Sequence, residues 1–253
     1  MVDHQFSDSR LAALYDAFCP WARFGDYDFY LDLVMAADAV LDVGCGTGAL
    51  LRRAREEGHT GRLCGLDPAV GMLEQARARP DVEWILGDLV TTAWDREFDL
   101  VVMSGHAFQV FVTDEGIRAS PAAIRSALSD DGCFAFETRN PAARAWERWT
   151  PTNAVEVTDE RGATVRMTHE VETPVDGDVV RFTTTYTSSD WDRPEVSTST
   201  LRFLDPPTLS RHLADAGLAA QEQFGDWDRS RLTDESPEII TLARRGKGAP
   251  SRT

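Results

Sequence analysis

The stretch Val40-Leu41-Asp42-Val43-Gly44-Cys45-Gly46-Thr47-Gly48 decides how the rest of this chain is read. An apolar run enters three glycines at alternate positions, and a segment of helical periodicity, Ala49–Glu57, starts directly behind them and stops at Gly58. Glycine suits such a turn because it tolerates positive φ and lets the backbone approach a ligand with no Cβ in the way. The helix start offers unpaired N–H groups and the positive end of a dipole, a seat for a carboxylate or another anionic group.

Outward from that loop, short apolar runs alternate with helical segments. The candidate strands are Ala39–Val43, Arg62–Leu66, Val82–Leu86, Phe98–Met103 and Cys133–Glu137. Between them Val70–Arg79 reads as a helix ended by Pro80, and Asp114–Leu128 as a longer one entered through Thr113 as N-cap. Strand, helix, strand at this spacing predicts βαβ units on a parallel sheet. After Pro151 the texture changes. Val155–Val171, Val179–Ser188 and Ser197–Leu204 are rich in Thr and Val, with turn signals at Arg161-Gly162 and Asp176-Gly177-Asp178, which predicts antiparallel hairpins. Pro207–Ala216 then reads as a helix closed by Gly217, with Leu218–Phe224 and Ile239–Ala243 as two closing strands.

With 42% hydrophobic residues over 253 positions, the chain can bury a sizeable core, which argues against wholesale disorder. Asp plus Glu number 42 against 26 Lys plus Arg, a formal net charge of −16. A field of that sign repels nucleic acid and anionic lipid, whose affinity depends on Lys and Arg neutralising phosphates, so neither is expected as a partner. The plainer account of the charge is solubility. Cys19, Cys45, Cys64 and Cys133 form no CxxC pair, so no metal is expected and reduced thiols are the simplest account. The N-terminus lacks a signal-peptide layout and no apolar run reaches membrane-spanning length, which points to a cytoplasmic protein, monomer or homodimer.

Gly44, Gly46 and Ala49 also satisfy the dinucleotide fingerprint G-x-G-x-x-A, a weak match when taken alone. Three acids pull the other way. Asp42 precedes the first glycine by two residues, Asp67 ends the second strand in Leu66-Asp67-Pro68, and Asp88 ends the third in Leu86-Gly87-Asp88-Leu89. Each singly could be a cap or turn residue. Together they line the carboxyl edge, where open α/β sheets bind ligands. Asp67 suits a ribose in either cofactor and does not discriminate between them.

The string from Asp42 through Gly48, with Asp67 and Asp88 in register behind it, resembles motif I and the following strand ends of class I, Rossmann-like S-adenosylmethionine-dependent methyltransferases. The resemblance implies an α/β fold: a doubly wound, mostly parallel seven-stranded sheet with helices on both faces, and a small antiparallel β insertion after the fifth strand. It implies an N-terminal aromatic lid over 1–38, a cofactor-binding core over 39–150, the insertion over 151–204, the rest of the core sheet over 205–246 and a disordered tail over 247–253. It further implies S-adenosylmethionine as cofactor, with S-adenosylhomocysteine as product. Gly44, Cys45, Gly46 and Gly48 would border its methionine part and Asp42 would shape that loop. Asp67 with Pro68 would hold the ribose, Gly87, Asp88 and Leu89 the adenine, and Ser104 the edge near the methyl. Met72 would pack on the adenine face, or equally serve as a helix core residue.

The acceptor side resembles sugar-amine and glycine-type N-methyltransferases, in which an aromatic N-terminal lid and the β insertion enclose the pocket. Candidate substrate contacts are Tyr15, Trp21 and Tyr30 in the lid, His106 and Gln109 after the fourth strand, and Glu137, Arg139 and Asn140 at the end of the fifth. Aromatics near an N-terminus also pack plainly against a sheet; a cationic sulfonium or amine adds a reason to place them at a pocket. His106 is the candidate general base by position, and a hydrogen-bonded histidine in the pocket wall is the alternative. The expected activity is methyl transfer to a nitrogen or oxygen of a small molecule. The alternatives are the same fold using the sulfonium for cyclisation or another alkyl transfer, and an NAD(P)-dependent oxidoreductase.

Overall fold

Val40, Leu41 and Val43 are at most 6% exposed and even Asp42 between them is 1% exposed, so this strand is a continuous buried run. A strand apolar on both sides needs helices on both faces. The computed structural model describes residues 2–20 and 26–246. Its strands are β1 Ala39–Val43, β2 Arg62–Asp67, β3 Glu83–Leu86, β4 Phe98–Met103, β5 Leu128–Arg139, β6 Val155–Thr158, β7 Thr164–Val171, β8 Val179–Ser188, β9 Glu195–Arg202, β10 Leu218–Phe224 and β11 Glu238–Arg245. Its α-helices are α1 His4–Ser7, α2 Ser9–Ala13, α3 Tyr15–Phe18, α4 Asp26–Met35, α5 Ala49–Glu56, α6 Val70–Ala76, α7 Asp114–Ala127 and α8 Pro206–Asp215.

Seven strands form one sheet in the order β10-β11-β5-β4-β1-β2-β3, and β6-β7-β8-β9 form a second. Strands β5, β4, β1, β2 and β3 run parallel; β11 is antiparallel to both of its neighbours. Alternate residues of the large sheet feed two separate cores. Leu41, Leu66, Val101, Phe134 and Phe136 pack with Ile117 and Ile124 of α7 and Leu209 and Leu213 of α8. Val40, Leu63, Leu100, Val102 and Ala135 pack with Phe29, Tyr30 and Val34 of α4 and Leu50, Leu51 and Ala54 of α5. Each fully buried large side chain contributes roughly 1.5–3 kcal/mol, so the two layers are what hold the sheet's carboxyl edge rigid.

Elements follow the sequence reading with local differences. Val155–Val171 is broken into β6 and β7, because Asp159 Oδ1 accepts from the amides of Arg161 and Ala163 and Gly162 takes φ +84°. Strand β5 begins at Leu128, directly behind α7, five residues before the expected start; Leu128 leaves the helix with φ −70° and ψ 135° and pairs with Phe98. Thr113 caps α7 by accepting from Gly116 N, and Asp205 caps α8 by accepting from Thr208 N.

The N-terminal segment straps the two sheets together. It lies so close on α6 that a Cβ on Gly71 would stand 2.8 Å from the Ser7 carbonyl oxygen. Its Gln5 bonds Ser197, Ser199 and Tyr186 of the second sheet, and its Arg10 pairs with Glu195 at 2.5 Å. Leu11, Leu14 and Phe18 bury themselves against Val165 and Tyr186. Trp21 and the tail 247–253 lie outside the described residues.

Candidate functional site

The parallel strands all end at one edge, and the loops there carry the candidate residues. Gly44, Gly46 and Gly48 all take positive φ, +74°, +56° and +76°. The amides of Gly44 and Cys45 donate to Leu66 O, which folds the loop against the end of β2. A Cβ on Gly46 would meet nothing within 4 Å, so open space stands above it; on Gly48 it would run into the Trp84 ring. Trp84 also fills the space left by Gly65, and its indole N–H donates to Arg79 O at 2.8 Å. Two glycines therefore make room for a tryptophan support, and one borders a cavity. Cys45 packs its side chain with Leu73, Ala76 and Trp84, and burial pushes its thiol well up, so only its backbone is available to a ligand.

Asp42 is 1% exposed, and among the described residues neither of its carboxylate oxygens has a hydrogen-bond partner. Burial, with Asp67 and Glu137 nearby, pushes its pKa up to about 8. A buried carboxylate with no partner is costly, and a cation placed beside it removes that cost. Asp67 is 6% exposed and fixes the loop: Oδ2 accepts from Gly46 N at 2.8 Å and Oδ1 from Ala69 N at 2.7 Å. Burial nevertheless raises its pKa, the two amides opposing. Each oxygen retains a second lone pair for a ligand hydroxyl. Asp88 is exposed; its Oδ1 accepts from Val90 N, Thr91 N and the Thr91 hydroxyl, which lowers its pKa and leaves Oδ2 unengaged among the described residues. Gly87 N donates to Asp67 O, Leu89 is buried in the core, and Pro68 is exposed. Met72 is 2% exposed and packs with Ala12, Ala69, Phe6 and Tyr15, beneath the strap.

The fourth and fifth strands meet in a polar network. Ser104 follows β4, and Gly105 and His106 both take left-handed φ, +66° and +63°. His106 is held there because its N–H donates to Glu137 Oε1 at 2.6 Å. The other Glu137 oxygen accepts from the Tyr30 hydroxyl, and both side chains are 0% exposed. Burial raises Glu137 and Tyr30 alike, and their proximity adds to the Tyr30 shift. Across the sheet His106 Nε2 lies 2.9 Å from Glu238 Oε2. Burial and the nearby Arg139 charge pull the imidazole down to about 3, whereas burial pushes Glu238 up to about 7. The contact therefore holds one proton over the near-neutral range, and the histidine ring is neutral.

Arg139 NH1 donates to Gln109 Oε1 at 3.0 Å, and Gln109 Nε2 donates to Arg202 O at 3.1 Å. Asn140 spends both amide hydrogens on Thr233 O and Ser236 O and accepts from Ala142 N with its oxygen. Tyr30, Gln109 and Asn140 thus position neighbours and have no side-chain surface left to offer an acceptor. Tyr15 stands beside the loop after β4: its hydroxyl is 3.8 Å from where a Gly105 Cβ would be.

Two further candidate residues escaped the sequence reading. Glu238 opens β11 and pairs in register with Arg139, so an antiparallel strand delivers its first residue to the edge where the parallel strands finish. An acid before an apolar strand gives no local sign of that. Asp16 accepts from Thr47 Oγ1 at 2.6 Å and from Arg52 NH2 at 2.7 Å, latching the strap onto the glycine loop and α5.

The comparisons agree with this geometry. Residues 40–132 match the family described as methyltransferase domain. The 2-phytyl-1,4-naphtoquinone methyltransferase of Nostoc sp. is 29% identical over 109 residues, 37% of this chain and 48% of that protein. The chain thus spans about half the length of such a curated relative. The solved amino pentose methyltransferase CalS10 of Micromonospora echinaspora is 25% identical with TM-score 0.67, over 91% of this chain and 95% of that one. An S-adenosylmethionine-dependent methyltransferase of Clostridium acetobutylicum, at 16% identity, superposes with TM-score 0.75 over 94% and 98% of the two chains, which speaks for the fold alone. Residues 40–132 thus match the methyltransferase-domain family, and the chain is built in the class I, S-adenosylmethionine-dependent methyltransferase fold.

Proposed function

We propose that this protein transfers the methyl group of S-adenosylmethionine to an amine nitrogen of a small molecule. The observation that carries the reading is Asp42: a buried carboxylate whose oxygens have no partner among the described residues, beside a glycine loop that leaves open space above Gly46. Such a carboxylate fits the cationic amino group of the cofactor's methionine part. The remaining lone pairs of Asp67 suit ribose hydroxyls and Asp88 Oδ2 suits an adenine amino group. When bound, the sulfonium supplies an electrophilic methyl carbon for in-line displacement.

The chain's own work is alignment, exclusion of water and handling of one proton. The strap latched by Asp16 covers the glycine loop, and the second sheet stands over the acceptor side. An amine attacks only when neutral, and the nitrogen sheds a proton as the N–C bond forms. With Nε2–H donated to the Glu238 carboxylate, His106 Nδ1 carries the lone pair that accepts this proton, and Glu238 balances the imidazolium. The left-handed backbone at His106, held by Glu137, aims the ring; strain at a functional site is expected to be held in place by its surroundings. The likeness to an amino pentose methyltransferase favours nitrogen over oxygen as acceptor. Among the described residues no disulfide is formed, in keeping with a reducing, cytoplasmic setting.

Calorimetry with S-adenosylmethionine and S-adenosylhomocysteine, followed by product analysis on an amine panel, tests this. S-adenosylhomocysteine as product supports the reading. Methylthioadenosine would mean another carbon was transferred, and stabilisation by NADH alone would replace the reading with an oxidoreductase.

A further inference from the structure

Gly65 lies inside β2 without taking positive φ, so space and not conformational freedom is what its missing side chain supplies. It pairs in register with Asp42 of β1 on one side and with Trp84 of β3 on the other. Residues so paired point to the same face, and the row therefore holds a buried carboxylate, a gap and a large ring. The ring leans across β2 into the gap: a Cβ on Gly65 would stand 2.5 Å from Trp84 Cζ3 and 2.9 Å from Cys45 Sγ. It continues to the glycine loop, where a Cβ on Gly48 would run into Trp84 Cη2. One side chain thus occupies the space that two glycines leave.

The ring is fixed in that slot. Leu73 and Ala76 of α6 pack with it and with Cys45, and the indole N–H donates to Arg79 O just beyond α6 at 2.8 Å. A Cβ on Gly48 would also stand 3.1 Å from Ala76 Cβ, so ring and helix together form one support. The loop's hydrogen bonds to β2 hold its first half alone: Gly44 N and Cys45 N donate to Leu66 O, and Gly46 N donates to Asp67 Oδ2. Gly48 N donates to Cys45 O, within the loop itself. The second half of the turn therefore takes its place from packing. A close-packed interior has few voids to absorb a shift, so the ring cannot change without moving the turn.

We propose that Trp84 is a positioning residue for S-adenosylmethionine: its ring is the wedge that sets the height of the Gly46–Gly48 turn, and with it the seat of the cofactor's methionine part. The residue acts through the loop, from the side away from the open space at Gly46. The nucleoside end depends on the ring less, because Asp67 is held by the amides of Gly46 and Ala69 and Asp88 by its own turn. This rests on the methyltransferase reading, which seats the methionine part on that turn.

The test is calorimetric titration of the full chain with S-adenosylhomocysteine and with methylthioadenosine, which keeps the nucleoside and lacks the amino-acid end. Trp84→Leu is expected to weaken S-adenosylhomocysteine by about tenfold or more and methylthioadenosine by about threefold or less. Trp84→Phe keeps a ring in the slot without the N–H and should recover most of the lost affinity. Gly65→Ala drives the ring toward Gly48 and should also weaken S-adenosylhomocysteine more than methylthioadenosine. Added to Trp84→Leu it should cost nothing further, since the two share one contact. Gly65→Ala and Trp84→Phe carry the comparison if Trp84→Leu does not fold. Equal weakening of the two ligands would make Trp84 a plain core residue and overturn the proposal. So would unchanged S-adenosylhomocysteine affinity in Trp84→Leu and Gly65→Ala, or a loss in Trp84→Phe as large as in Trp84→Leu. A wild type that binds neither ligand removes the methyltransferase reading beneath, whereas wild-type binding with any of these contrary results removes this inference alone.

Discussion

His106 Nε2 and Glu238 Oε2 stand 2.9 Å apart although 132 positions separate them in the chain. The contact joins the end of a parallel strand to the start of an antiparallel one, and it sets how the site responds to pH. With the carboxyl pushed up to about 7 and the imidazole down to about 3, the carboxyl is protonated beside a neutral ring between those values, and above about 7 the carboxylate faces a ring that keeps its single N–H.

Methyl transfer should therefore rise as pH passes about 7, where deprotonated Glu238 takes the Nε2–H and leaves Nδ1 basic. Glu238→Gln should lose that rise, and His106→Ala should slow turnover by roughly a hundredfold or more with S-adenosylhomocysteine affinity nearly unchanged. Steady-state rates from pH 5.5 to 9 decide this. A wild-type profile preserved in Glu238→Gln would remove the pair from the chemistry.

Asp42→Asn should stabilise the ligand-free protein. Asp42 is raised from 3.8 to about 8 in the folded chain, so between those values the native state binds more protons than the unfolded one. Stability from this group is thus lost as pH rises through that window, and the loss is complete above about 8. The variant should match the wild type near pH 3.5 and melt progressively higher as pH rises toward 8, while binding S-adenosylmethionine more weakly. Wild-type binding at pH 7 should release close to one proton, measured by calorimetry in buffers of different ionisation enthalpy. A variant that melts lower throughout would contradict the assignment.

The two glycines should fail in different ways. Gly46→Ala adds a methyl to open space at positive φ, a cost of about 1–2 kcal/mol, and should chiefly abolish cofactor binding. Gly48→Ala adds the same strain and drives a methyl into Trp84, so its main defect should be in folding. Melting curves beside cofactor titrations distinguish them; equal melting temperatures would show that Trp84 yields freely.

Tyr30→Phe removes the donor from one oxygen of a fully buried carboxylate, since Glu137 has Tyr30 on Oε2 and His106 N on Oε1. A loss of about 1–3 kcal/mol in denaturant unfolding is expected, with KM for the acceptor changed less than kcat because the tyrosine itself is out of reach. A large change in acceptor KM alone would return Tyr30 to direct contact.

The glycine loop, the five parallel strands and the switch to hairpins after Pro151 were legible because each is written locally. Positive φ at Gly44, Gly46 and Gly48 needs glycine, and burial on both faces needs runs such as Val40–Val43. Asp67 and Asp88 were legible for the same reason, each closing a strand. What could not be read was how polar side chains near the edge divide their bonds. Asn140 and Gln109 look like acceptor contacts by position, yet neighbouring backbone and Arg139 consume their hydrogen-bonding groups. Trp84 gives no sign of lying under Gly48 and Gly65, since contact between strand neighbours depends on sheet order.

From the amino-acid order alone came the fold class and the cofactor edge, because backbone conformation and apolar period are properties of short segments. Tertiary structure alone decided that Glu238 meets His106, that Asp42 finds no partner among the described residues, and that the Trp84 ring reaches Gly48 across β2. Those outcomes depend on strand order and register, in which residues far apart in the chain become neighbours and compete for the same buried partners.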